Sequence, residues 1–84
     1  MKIEIQTFDK DAEVWTKPGN RTKAAIVSAL PSEEADAFSK FYSQVYQKSP
    51  LGWVPVSIQH RYSTRGIARE RIHRMGYTVA DHAG

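Results

Sequence analysis

Leu30-Pro31-Ser32-Glu33-Glu34-Ala35-Asp36-Ala37-Phe38-Ser39-Lys40-Phe41-Tyr42-Ser43-Gln44-Val45-Tyr46-Gln47-Lys48 opens with the clearest local signal in the chain. Proline suits the first turn of a helix, and the Ser32 hydroxyl can cap the free N–H groups if the helix starts one residue later. Glu33, Glu34 and Asp36 complement the positive end of a helix dipole. Ala35, Phe38, Tyr42 and Val45 recur at helical spacing, and Phe41 and Tyr46 broaden the stripe. Lys48 suits the negative end, and Ser49-Pro50-Leu51-Gly52 is a stop signal. The spacing therefore predicts a helix over 32–48, with its aromatic stripe packed on a sheet and not offered to a base or a partner.

On the N-terminal side, Lys2-Ile3-Glu4-Ile5-Gln6-Thr7-Phe8 alternates polar with apolar, which predicts a half-buried strand with Ile3 and Ile5 inward. Asp9-Lys10-Asp11 is turn-like. Glu13 to Lys17 reads as a second strand, Pro18-Gly19-Asn20 as a tight reversal, and Arg21 to Ala29 as the returning strand. The small residues around Ala25-Ile26-Val27 suggest an element packed closely on that strand.

On the C-terminal side, Trp53 to His60 alternates with Val54, Val56 and Ile58 on one face. Pro55 cannot donate to a ladder, so this is an edge strand, or else a short helix from Pro55 to Arg61. Ser63 or Thr64 can cap a second helix running to Met75, and Gly76 fits the left-handed position past its end. Ala68, Ile72 and Met75 fall on its inner face, and Tyr77-Thr78-Val79 can add a last short strand. The expected fold is α+β: a small three- to four-stranded antiparallel sheet packed by two helices, about 32–48 and 64–75, in one domain spanning 1–84.

The 84 residues contain no cysteine, which excludes disulfides, Cys-based zinc sites and thiol chemistry. No apolar run approaches the roughly 18 residues of a membrane span. The expectation is a soluble cytoplasmic protein, complete as it stands, with no membrane partner. The net charge is +3, but residues 1–40 hold six basic and seven acidic side chains, whereas 41–84 hold six and two. A basic back half points to a polyanion or an acidic protein surface as partner.

Five arginines, Arg61, Arg65, Arg69, Arg71 and Arg74, lie within fourteen residues, beside Ser63 and Thr64. A guanidinium fork pairs bidentately with phosphate or carboxylate, and hydroxyls at a helix start add anion-binding groups. Together these seven residues are the candidate nucleic-acid or partner-binding set. Reach from the helix N-terminus favours Arg61, Arg65 and Arg69 over Arg71 and Arg74. The opposing reading has Arg65 and Arg69 paired with acids of the first half, and Arg71 and Arg74 simply solvated.

Ser63-Thr64-Arg65-Gly66-Ile67-Ala68-Arg69-Glu70 resembles the opening of the recognition helix in winged-helix repressors. The resemblance implies a preceding helix over Val56 to Arg61, a wing entered at Gly76-Tyr77-Thr78-Val79, and Arg65, Arg69 and His73 facing a major groove. Arg61 stands where such turns carry glycine, and Glu70 where they carry an apolar residue. In size and style the chain also resembles accessory proteins of phages and mobile elements, including anti-CRISPR inhibitors, which implies action by protein–protein binding.

A metal-free ribonuclease would draw on His60, Arg61, Tyr62 and His73, though no spacing demands it. His60, His73 and Asp81 are too scattered for a metal site, and no motif calls for a cofactor. The sequence therefore favours a non-enzymatic binding protein whose Arg-rich C-terminal half engages nucleic acid or a nucleoprotein complex.

Overall fold

Glu13-Val14-Trp15-Thr16-Lys17 is rich in β-forming side chains and forms β1 (Glu13–Lys17). Pro18 and Gly19 reverse the chain, with Gly19 at φ +80°, a conformation that other residues adopt only under strain. β2 (Asn20–Ala29) returns antiparallel to β1. β3 (Phe41–Ser49), β4 (Gly52–Pro55), β5 (His60–Tyr62), α1 (Arg65–Arg74) and β6 (Thr78–Val79) follow. The computed structural model describes Ile5 and residues 9–79. The strand predicted over 2–8 therefore lies outside the described residues except at Ile5, as does the tail over 81–84.

The strands form one antiparallel sheet in the order β4-β3-β2-β1-β6, with β5 also pairing β3. β4 and β5 share the outer side of β3: Tyr46 to Ser49 pair with β4, and Phe41 to Ser43 pair with β5. Between them the edge segment carries two residues more than β3 does. Ser57 closes the resulting gap, because its Oγ accepts from Val45 N–H at 3.0 Å while its carbonyl accepts from Gln44 Nε2 at 3.1 Å. The Val56 N–H still donates to the Val45 carbonyl. Successive residues on a strand direct their N–H groups to opposite sides, so the nitrogen of Pro55 faces the open edge. The segment is thus an edge strand and not a short helix, and proline is tolerated because no ladder bond is lost there.

The helix expected over 32–48 does not form. Its start signal is genuine but lasts one turn, in which Glu34 and Ala35 N–H both donate to the Pro31 carbonyl. Asp36 then competes for the backbone: its Oδ1 accepts from Phe38 and Ser39 N–H, both at 2.8 Å, and its own N–H donates to the Ser39 carbonyl. A short carboxylate that caps backbone N–H groups favours turns over helix interior. Phe38, assigned to the buried stripe, is 83% exposed. From Phe41 onward the chain is strand, pairing with β2 from Ala29↔Phe41 to Lys23↔Gln47. The helical spacing arose because this strand buries both its faces, and an apolar run of that kind carries no clean period of two. The expected α+β sheet packed by two helices is corrected to a mostly β fold, in which one helix, among the described residues, covers one face.

The two faces have separate cores. Trp15, Ala25, Val27 and Val45 line one, where Ala68 and Ile72 of α1 and Tyr77 complete the cluster. Ile26, Leu30, Tyr42 and Tyr46 form the other, with Ile5, Val14, Ala35 and Trp53 packed against it. Ala25 and Ala68 are both fully buried, and their small side chains let α1 approach the sheet closely. Met75, expected inward, is exposed instead: the helix ends there, and Gly76 at φ +92° turns the chain toward β6.

This packing sets a contrast between two apolar residues. Ile72→Ala removes a fully buried side chain and is expected to lower stability by about 2–5 kcal/mol, whereas Phe38→Ser is expected to change it by less than about 0.5 kcal/mol. Urea unfolding of both variants measures the difference, and a costly Phe38→Ser would restore the helical assignment.

Candidate functional site

Of the two hydroxyls that the sequence offers as caps for α1, Thr64 is the N-cap, accepting from Ile67 N–H at 3.2 Å. That hydroxyl is engaged by its own helix, and Ser63 lies half-buried just before it. No helix occupies 56–61, so the helical pair implied by the winged-helix resemblance is missing. The arginines divide by flank. At about 100° per residue, Arg65 and Arg69 leave the buried Ala68–Ile72 face toward β1, while Ile67, Arg71 and Arg74 leave it toward β5.

Arg65 and Arg69 meet acids of the first half. Arg65 Nη2 pairs with Asp9 Oδ2 at 2.7 Å, Nη1 reaches the Asp11 carbonyl at 3.4 Å, and the guanidinium lies 4.9 Å from the centroid of the Phe41 ring. Arg69 Nε donates to both oxygens of Glu13, at 2.9 and 2.7 Å, with Nη2 on Oε2 as well. Glu13 also accepts from the Trp15 indole at 3.3 Å. Arg61, on β5, pairs with Glu34 at 3.1 Å. The three arginines favoured on grounds of reach are thus the three that bind the chain to itself. Arg74 holds only the i,i+4 partner Glu70 at 2.6 Å, and Arg71 pairs with no acid among the described residues.

Burial opposes ionisation of Asp9, but the Arg65 hydrogen bond, backbone donors at Asp11 and Ala29, and the Arg65 charge outweigh it and hold the carboxyl below its ordinary 3.8. For Glu13 burial is again the largest influence. The hydrogen bond and charge of Arg69, with the Trp15 indole, overcome it and hold the carboxyl below 4.5.

Topology sorts the remaining charges. The registers Lys17↔Asn20, Lys23↔Gln47 and Ser49↔Gly52 put the β1–β2 and β3–β4 turns at one end of the sheet. The C-terminus of α1 arrives at the same end, where the Lys17 ammonium lies 5.5 Å from the centroid of the Tyr77 ring. That end gathers Lys17, Arg21, Lys23, Lys48, Arg71 and Arg74, with Glu70 as its one acid among the described residues. Asp9, Asp11, Glu13, Glu33, Glu34 and Asp36 all lie toward the opposite end, with Lys10, Lys40, Arg61, Arg65 and Arg69 among them. Lys17, Arg21, Lys23 and Lys48 were not singled out from the sequence. Their signal was the placement of each beside a strand-joining turn, which only a correct strand assignment makes readable.

His60 and Tyr62 stand on β5, and the Tyr62 hydroxyl bonds Ser43 Oγ at 2.9 Å. His73 is exposed on the flank of α1 opposite Arg71, so the two imidazoles of the ribonuclease reading are not brought together. Among the described residues no group of three His, Asp or Glu is placed to hold a metal ion, and no helix is long and apolar enough to cross a membrane. No protein-family model, no curated protein and no solved structure matches the chain.

The depressed carboxyls fix a pH dependence. Both ionise more readily in the folded than in the unfolded chain, so their stabilisation is complete above their unfolded values and is lost as pH falls through the lower folded ones. The urea midpoint is expected to fall as pH drops below about 4.5. Asp9→Asn with Glu13→Gln is expected to lower the midpoint at neutral pH and flatten this acid limb. An acid limb unchanged in the double variant would contradict the assignment.

Proposed function

We propose that this chain is a non-enzymatic binding protein whose basic end engages the phosphate backbone of nucleic acid. One observation carries the reading: Lys17, Arg21, Lys23, Lys48, Arg71 and Arg74 lie at one end with Glu70 as the one acid described there, while Asp9, Glu13 and Glu34 at the other end are paired by Arg65, Arg69 and Arg61. Separated charge of this kind leaves an attractive field for a polyanion at the unneutralised end. Successive lysines and arginines displace counterions from adjacent phosphates, which makes affinity fall with salt. The interface differs from the one expected from sequence, because Arg71 and Arg74 remain in it and Arg61, Arg65 and Arg69 do not.

A protein partner is the second reading, and the outer edge favours it. No charged side chain occurs from Ser49 to Gln59, and Leu51, Val54, Val56 and Ile58 are all exposed there. Natural edge strands are commonly protected by charge, and this one has only Pro55. An inhibitor or accessory factor acting on another protein would use such a surface.

Fluorescence anisotropy with labelled mixed-sequence DNA and RNA separates the two readings. Neutralising three to six phosphates predicts a log–log salt slope of about −3 to −5 on duplex DNA. Lys17→Gln, Arg71→Gln and Arg74→Gln together are expected to make the slope shallower by about 2–3, and Arg61→Gln to leave it as it is. A slope near zero, or no binding at low salt, contradicts the nucleic-acid reading and moves the weight to the apolar edge.

A further inference from the structure

We infer that the shallow depression between α1 and β5 holds one unpaired nucleotide of single-stranded nucleic acid. Tyr62, Ile67, Glu70, Arg71 and Arg74 line it. The inference rests on the nucleic-acid reading above and adds to it a site for the base.

The chemistry of the lining divides in two. Tyr62 and Ile67 present an aromatic ring and a branched apolar side chain, while Arg71 and Arg74 present guanidinium groups beside them. Ile67 is 49% exposed in the first turn of α1, although its neighbour Ala68 is fully buried. A base laid against Ile67 and Tyr62 would cover this apolar surface, and every base has a face suited to such contact.

The ring is already fixed. Tyr62 pairs with Phe41 in the ladder, and its hydroxyl bonds the buried Ser43 at 2.9 Å. A side chain held at both ends loses little freedom when a ligand arrives. Arg71 has no acid to leave among the described residues. The Arg74–Glu70 pair is exposed on both sides, and pairs of that kind are held weakly enough for a phosphate to replace the carboxylate. The remaining Glu70 charge disfavours a bare small anion here and leaves the apolar contact to add what phosphate alone does not.

Size and access narrow the class further. The space is about 260 Å³, below the roughly 300–1,000 Å³ of pockets that enclose drug-sized molecules. It takes one base or a group of similar size, not an extended cofactor. In a duplex the base faces are stacked inside the helix, so a double strand can offer the site only phosphate. The depression opens beside Arg71 and Arg74, which belong to the basic end, so a strand bound there can place a nucleotide in it.

Anisotropy titrations with a labelled, unstructured strand of roughly 12 nucleotides and with the duplex of the same length test this. Wild type is expected to bind the single strand about tenfold tighter at equal salt. Ile67→Ser is expected to lose about tenfold on the single strand and much less on the duplex, with circular dichroism confirming the fold. Arg71→Gln is expected to weaken both. Equal or tighter duplex binding, or an Ile67→Ser variant that binds the single strand as wild type does, overturns this inference while the nucleic-acid reading stands. Polyglutamate binding that Ile67→Ser weakens as much as it weakens single-strand binding also overturns it, assigning the depression to acidic peptides. No binding to either nucleic acid at low salt overturns both.

Discussion

The β2–β3 ladder is the constraint on which the rest of the molecule depends. Seven successive residue pairs, from Ala29↔Phe41 to Lys23↔Gln47, join the two longest strands. Ala24 through Ser28 are all fully buried, so both faces of this pair must be covered. α1 covers one face through Ala68 and Ile72, and the segment carrying Leu30 and Ala35 helps cover the other. Each further strand is placed by the ladder: β1 on one side, then β6, with β4 and β5 sharing the other. A chain of 84 residues can bury only a limited fraction of its surface. Two thin apolar clusters on a shared pair of strands are an economical answer to that limit.

The same ladder decides where charge goes. Antiparallel pairing brings the two tight turns to one end, and with them the basic side chains that flank them. The connections at the other end carry the acids, and there the arginines of β5 and of the N-terminal half of α1 close on them. The Arg65–Asp9 pair, supported by Phe41 and the Asp11 carbonyl, fixes the start of α1 against the segment leading into β1. Arg69 repeats that tie one turn later through Glu13. Arginine serves these contacts better than lysine would, because its planar fork reaches a carboxylate, a carbonyl and a ring face at once.

Much of the second half was legible. A hydroxyl cap at Ser63 or Thr64, the inward Ala68 and Ile72, and the Gly76 turn all follow from local chemistry that the tertiary structure leaves intact. The reversal at Pro18-Gly19 was equally plain. Residues 32–48 were not legible, because a capping signal worth one turn stood directly before a strand buried on both faces. Asp36 was counted toward the helix dipole, yet its carboxylate is what stops the helix. The consequence reaches the site: a helix over 32–48 gives no reason for Lys48 and Lys23 to lie at the same end of one sheet, as the strand pairing does. The pairing of Arg65 and Arg69 with first-half acids is one of two readings open in the sequence, and the placement of α1 beside Asp9 and Glu13 selects it.

The decisive question is whether nucleic acid meets the hairpin end or the arginines nearest the start of α1. Backbone amide shift mapping by NMR during titration with a short mixed-sequence DNA duplex at low salt reads this directly, residue by residue. The largest changes are expected at Lys17, Arg21, Lys23, Lys48, Arg71 and Arg74, with Arg61, Arg65 and Arg69 nearly still. Changes concentrated at Arg61, Arg65 and Arg69, with the hairpin ends unmoved, would contradict it.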